Sequence, residues 1–258
     1  MRKAMGFALV MLPLMMLASP AGALFYLPEK TLESQLVQAD TVVIGTIAES
    51  DAEKDRATVN VREILKGEAG KQVVVSDISL RISKDKKKVR FKKDDRVLLF
   101  LQKGRGESLP INFSMVIETE ADERSMTACI KEVMPYAEAL ANLENIKKDI
   151  DQKAVAKAIE TLGASRNGHT QIVVGRLMGT AWAQRIKPEP FVKTIVAALT
   201  TGRTELKRGA IAWCAKFETL PADVRTALES IADNGKDQET AKQARKVLLT
   251  FSAAATQK

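Results

Sequence analysis

The chain has 258 residues and a formal net charge of +8, with 45% apolar and 5% aromatic residues. This length suits one large domain or two small ones, and the low aromatic content argues against a carbohydrate groove or a platform of stacked bases. The basic charge favours anionic partners only weakly.

Residues 1–23 have the three parts of a secretory signal peptide. These are a positive start at Arg2–Lys3, an apolar run over 4–18 and an Ala-Gly-Ala ending at Ala23. We expect cleavage near Ala23 and a periplasmic or secreted protein. An uncleaved membrane anchor is the alternative, but the run is shorter than the roughly 20 residues of a spanning helix and Pro13 interrupts it. No transmembrane segment is expected after signal removal.

Residues 24–122 are predicted to form a β domain with an N-terminal helix. Leu32, Leu36 and Val37 give that helix a narrow apolar stripe. The strands are predicted from β-branched or alternating segments, at 41–47, 57–64, 72–78, 88–91, 96–101 and 112–118. Short strands must hide their edges, and closing into a small barrel is the usual solution.

Three of these segments carry a resemblance to a known family. ADTVVIGTI (39–47), VNVREILKG (59–67) and DDRVLLFL (94–101) resemble bacterial exported proteins with an OB- or netrin-like barrel. That barrel is similar to the inhibitory domain of tissue inhibitors of metalloproteinases, which implies metalloprotease inhibition as one alternative function. Those inhibitors use an N-terminal Cys to chelate the zinc of the target, whereas the expected first residue here is Leu24.

Residues 123–258 are predicted to be helical and weakly repetitive. Three segments can be superposed: Ala154–Trp182, Phe191–Phe217 and Asp223–Phe251. Each has a helix, a polar turn and a second helix that closes on an aromatic. A period of about 35 residues with two helices per unit resembles HEAT-type repeats, whose neighbouring units bury one another's apolar faces. An ordinary bundle of regular helices is the alternative.

The predicted fold class is therefore α+β, with a small OB/netrin-like β-barrel followed by an all-α HEAT-like repeat domain. A stack of repeats implies a concave surface, so we expect a protein partner there.

We assign no catalytic residue, no metal ligand and no cofactor. His169 is the single histidine and lacks zinc-binding partners, and pairing Cys214 with His169 would require two repeats to bring them together. We expect His169 to be a turn residue near a helix start. The acidic pairs Asp94–Asp95 and Asp122–Glu123 are interpreted as solvated turn residues. The sequence therefore predicts a protein that is not an enzyme.

Cys129 and Cys214 are the two cysteines of the chain. In an oxidising compartment they can form a disulfide, and on apolar helix faces they can remain two buried thiols. Both interpretations stay open at this point.

A basic cluster surrounds the predicted hairpin near residue 88. Its members are Lys84, Lys86, Lys87, Lys88, Arg90, Lys92 and Lys93. Such a cluster can bind a polyanion or an anionic envelope surface, but lysine-rich hairpins also keep an edge strand from pairing. No nucleic-acid partner is expected, because aromatic side chains do not interleave with the basic ones.

The residues together predict an exported, non-enzymatic interaction or scaffold protein. It would bind a protein partner through its helical repeats. Polyanion or membrane-surface binding through residues 84–93 is the alternative.

Overall fold

The protein has an α+β fold, as predicted, in which a β-sheet and a set of helices share part of their apolar core. The computed structural model describes residues 31–51, 53–76, 79–81, 88–103, 108–110, 114–143, 151–179 and 186–255. The predicted signal peptide, Lys84, Lys86, Lys87 and Trp182 lie outside these described residues.

The strands follow the predicted segments, with two short additions. In chain order they are β1 (Thr41–Asp51), β2 (Arg56–Lys66), β3 (Gln72–Ser76), β4 (Ser79–Arg81), β5 (Lys88–Arg90), β6 (Arg96–Lys103), β7 (Ser108–Pro110) and β8 (Met115–Val116). The additions are β4 and β7, and the predicted strand at 112–118 is described only as the two residues of β8.

Most strand pairs are antiparallel. β1 pairs with β2 and β6, β2 pairs with β3, and β6 pairs with β7 and β8, whereas β3 and β7 are parallel. The hydrogen-bonded pairings therefore pass from β1 through β2, β3, β7 and β6 and return to β1. β4 and β5 form a separate two-stranded sheet.

Strands β1 and β6 are buried on both faces. Val43 and Leu99 belong to a core formed only by sheet residues and their neighbours, whereas Ile44 and Phe100 belong to the larger core shared with the helices. Because alternate residues of a strand point to opposite faces, the segments buried on both faces need consecutive apolar residues. This explains the apolar runs at 42–44 and 97–101.

Helix α1 (Leu32–Gln38) packs between the sheet and the second half of the chain. The Thr31 side chain caps it by accepting a hydrogen bond from the Ser34 N–H. Leu32 and Leu36 are buried as predicted, but Val37 is 43% exposed and does not belong to the buried stripe. Seven residues span only about two turns, so the stripe is limited to the two leucines.

The remaining helices form the second half of the chain. They are α2 (Glu120–Val133), α3 (Ala137–Leu143), α4 (Gln152–Gly163), α5 (Gly168–Gly179), α6 (Val192–Thr201), α7 (Thr204–Cys214), α8 (Ala222–Asn234) and α9 (Gln238–Ala255). Asp122 and Glu123 lie in the first turn of α2 and not in a loop, because Thr119 caps that helix by accepting from the Asp122 N–H and carboxylates are favoured at a helix start.

Three helix pairs stack side by side. α4 contacts α5, α6 contacts α7, and α8 contacts α9. Between pairs, α4, α6 and α8 are successive neighbours, and so are α5, α7 and α9. The pairs coincide with the three superposable segments of the sequence.

Helices α5 and α7 approach so closely that their backbones touch. A Cβ added at Gly209 would lie 2.0 Å from the Gly175 carbonyl oxygen, and one at Gly175 would lie 2.5 Å from the Glu205 carbonyl oxygen. Real Cβ atoms do not approach other atoms this closely. The crossing therefore depends on glycine at both positions.

Candidate functional site

A groove opens at one edge of the helix stack, where α6 and α8 end and α7 and α9 begin. We call it the α6–α9 groove, and its volume is about 450 Å³. Leu199, Ala227 and Ile231 line it with apolar surface, although all three are almost fully buried. The polar turns that separate the helices of the second and third pairs form its two sides.

Five polar side chains line this groove without engaging one another. They are Thr204, Lys207, Ser230, Asn234 and Lys236, and none of them has a side-chain hydrogen bond or an ion pair within the described residues. Ser230, Asn234 and Lys236 are exposed. The groove therefore presents two ammonium groups, two hydroxyls and one amide to a ligand.

The single carboxylate that lines the groove already has partners. Asp237 Oδ2 accepts from Arg208 Nη2 at 2.7 Å and also from the Thr240 hydroxyl. The hydrogen bond from Thr240, with a further contribution from Arg208, lowers the pKa of Asp237. Since Arg208 balances its charge, Asp237 does not cancel the charges of Lys207 and Lys236.

The basic hairpin predicted near residue 88 exists as the β4–β5 pair. Its register places Arg81 opposite Lys88 and Ser79 opposite Arg90, so Arg81 joins the cluster although the sequence did not single it out. Lys92 and Lys93 follow in an exposed turn, where the Lys92 N–H donates to Asp95 Oδ2 at 2.7 Å.

A polar cluster missed by the sequence interpretation lies where α1, α2 and α5 meet. Arg176 donates to Glu33, whose side chain is fully buried. Glu132 Oε2 accepts from the hydroxyls of Ser165 at 2.7 Å and Thr170 at 2.6 Å. These contacts tie three separate helices together, so the cluster serves the architecture.

Both cysteines are buried free thiols. Burial raises the pKa of Cys129 to about 11, and nearby Glu132 and Glu33 act in the same direction, against a hydrogen bond from Thr170. Burial alone raises the pKa of Cys214 to about 12. Since the thiolate is the reactive form, neither sulfur is activated as a nucleophile.

His169 is the second residue of α5, close to the helix start where the sequence placed it. Its backbone N–H and that of Thr170 donate to Asn167 Oδ1, at 2.9 and 3.2 Å. Asn167 Nδ2 also donates to the Ser125 carbonyl at 2.7 Å. The Ser165–His169 turn therefore caps α5 and fastens it to α2.

In the part of the chain that the structure describes, no three His, Cys, Asp or Glu side chains are grouped so that they could hold a metal ion. None of the described helices combines the length and apolar character needed to cross a membrane.

Comparisons of the chain with protein-family models, curated proteins and solved structures find no match.

Proposed function

We propose that this protein is an exported, non-enzymatic interaction protein that binds a protein partner in the α6–α9 groove. The observation that carries the proposal is a groove lined by five polar side chains that have no partner of their own in the described structure. Such side chains can pair with polar groups of a partner protein at the rim of an interface.

The architecture supports this proposal. Three stacked helix pairs are what HEAT-like repeats would form, and such stacks present extended binding surfaces. The circuit of pairings from β1 back to β1 is what an OB/netrin-like barrel would have. The leader over residues 1–23 supports export, and N-terminal sequencing of the mature protein should begin at Leu24.

Site-directed photo-crosslinking tests the groove. Ser230→Cys would be labelled with a benzophenone maleimide, because the two native thiols are buried and remain unlabelled. We expect one protein of the native envelope extract to crosslink from Ser230, and excess unlabelled protein to compete with it. Glu160→Cys, on the exposed face of α4, is the matched control and should capture nothing.

Two results would contradict the proposal. The first is equal capture from positions 230 and 160. The second is a catalytic turnover that Cys214→Ser or His169→Ala abolishes, which would make the chain an enzyme.

The β4–β5 hairpin supports a second candidate function, binding to an anionic surface. The register that places Arg81 opposite Lys88 favours it. Binding to vesicles with anionic phospholipids should weaken steeply between 50 and 500 mM salt, because such attraction is screened. Replacing Lys88, Lys92 and Lys93 with Gln should remove it, whereas the same change at the helical lysines Lys193, Lys242 and Lys246 should not.

A further inference from the structure

The side chain of Gln35 on α1 is fully buried, and neither end of its amide has a hydrogen-bond partner in the part of the chain that the structure describes. Its main chain is satisfied, because the N–H donates to the Thr31 carbonyl and the C=O accepts from the Ala39 N–H, both at 2.9 Å. Only the carboxamide therefore lacks partners. Buried polar groups of this kind are almost always hydrogen-bonded in proteins, either to the protein or to ordered water.

Gln35 lies on the face of α1 that packs into the core shared with the helices. Leu32 and Ala39, three residues before it and four residues after it, share that face and belong to this core. Glu33, which forms the buried ion pair with Arg176, is two residues away and does not face Gln35. The buried ion pair and the buried amide thus lie on different sides of α1.

We infer that the core around α1 encloses at least one ordered water molecule, bound by the Gln35 amide. The amide carries two donors and an acceptor, so its occupant needs both functions. The occupant is small and neutral, because the side chain has no contact with solvent and an uncompensated buried ion costs far more than a neutral polar group. Water meets these requirements.

The geometry of a carboxamide suits this ligand. One water molecule can accept from an N–H and donate to the oxygen of the same amide, which supplies two of the two to four partners that buried waters have. Protein interiors commonly hold water at polar groups that the protein itself leaves unpaired.

The water site lies on different elements from the α6–α9 groove and does not depend on the proposed function. α1 contacts both α3 and β6, so a water enclosed beside Gln35 is released only when α1 moves away from its neighbours. The residence time of this water therefore reports how often α1 opens.

Magnetic relaxation dispersion of water deuterons tests this inference, because it counts the water molecules that a protein holds for longer than its own tumbling time. The purified protein would be compared with Gln35→Met, which keeps the length of the side chain and removes the amide. We expect Gln35→Met to hold at least one long-lived water fewer than the unchanged protein.

The matched control is Gln38→Met, the same change about one turn further along α1. Gln38 is partly exposed, and its amide already donates to the Ser34 hydroxyl at 3.2 Å. Its replacement should leave the number of long-lived waters unchanged. Circular dichroism shows whether the variants are folded. If Gln35→Met does not fold, the nuclear Overhauser effect between water and the Gln35 side-chain N–H protons of the unchanged protein replaces the count, and a bound water should give a signal.

Three outcomes would overturn the inference. The first is the same number of long-lived waters in Gln35→Met as in the unchanged protein. The second is an equal loss of waters in Gln35→Met and Gln38→Met, which would show that the waters are not tied to the buried amide. The third, where only the unchanged protein is folded, is the absence of a water signal at the Gln35 side-chain N–H protons.

Discussion

Arg176 on α5 donates a hydrogen bond to the carboxylate of Glu33 on α1, which precedes it by 143 residues. The Glu33 side chain is fully buried and that of Arg176 is only 20% exposed. The pair therefore joins the helix before the sheet to the first of the stacked helix pairs.

Replacing Arg176 with Met should lower the free energy of unfolding by about 3 kcal/mol, because it leaves a carboxylate buried without its cation. Combining it with Glu33→Gln should recover part of the loss. Urea unfolding measures the free energy of unfolding of the single and of the double variant. Lys187→Met is the control, since Lys187 and Glu218 form an exposed ion pair and such pairs contribute little. Equal shifts for Arg176→Met and Lys187→Met would contradict this account.

Gly209→Ala should lower the free energy of unfolding by about 2 kcal/mol or more, as overpacking does. Its methyl would meet the Gly175 carbonyl oxygen and push α7 away from α5. The control is Gly179→Ala on the same face of α5, whose Cβ would lie 3.6 Å from the Gly209 Cα, an ordinary contact. A thermal melt should show a large loss for Gly209→Ala and little change for Gly179→Ala.

Asn167→Ala should lower the free energy of unfolding by about 1–2 kcal/mol, as expected for a lost helix N-cap. It removes two hydrogen bonds at the start of α5. Asn167→Asp keeps the accepting oxygen but loses the amide that donates to Ser125, so its cost should be smaller. Comparing the denaturant midpoints of the two variants separates the loss of the cap from the loss of the hydrogen bond to Ser125. An unchanged denaturant midpoint for Asn167→Ala would show that the cap does not stabilise the helix.

Both thiols should resist alkylation in the folded protein. Their pKa values of about 11 and about 12 leave almost no thiolate at pH 8, and burial blocks access. Ellman's reagent should count no thiol in the native protein and two in guanidinium. Rapid reaction of either native thiol would contradict the buried environment.

The same pKa values give a pH dependence of stability. The unfolded thiols lose their protons near pH 9, where the folded ones keep them, so the native state binds more protons between about pH 9 and 11. Stability should therefore fall as pH rises through that window. The double variant Cys129→Ala with Cys214→Ala should show a shallower decline in the same titration.

The elements that could be predicted from sequence are those with a strong local pattern. The run at 41–47 indicates a strand because it is rich in β-branched residues, and the run at 96–101 does so because it is apolar from Val97 to Leu101. The three helix pairs follow from apolar residues at helical spacing between polar turns. Strand β7 was missed because its residues, Ser108–Pro110, lack that character and proline is rare within sheets.

The groove had no signal in the sequence. Lys207 and Asn234 are ordinary polar residues of α7 and α8, and Lys236 lies in a polar turn. Only the stacking of the second and third helix pairs brings them to one opening. The Glu33–Arg176 pair was equally hidden, since a charged residue in a helix is usually exposed. Long-range packing of this kind is not encoded in local periodicity.

The position of α1 has a consequence for the order of synthesis. It is made among the first residues, yet it packs on α3 and receives its cation from α5, which is made far later. The early part of the chain therefore cannot complete its native contacts until most of the polypeptide has been synthesised. The contacts of α1 are therefore completed only after α5 has been made.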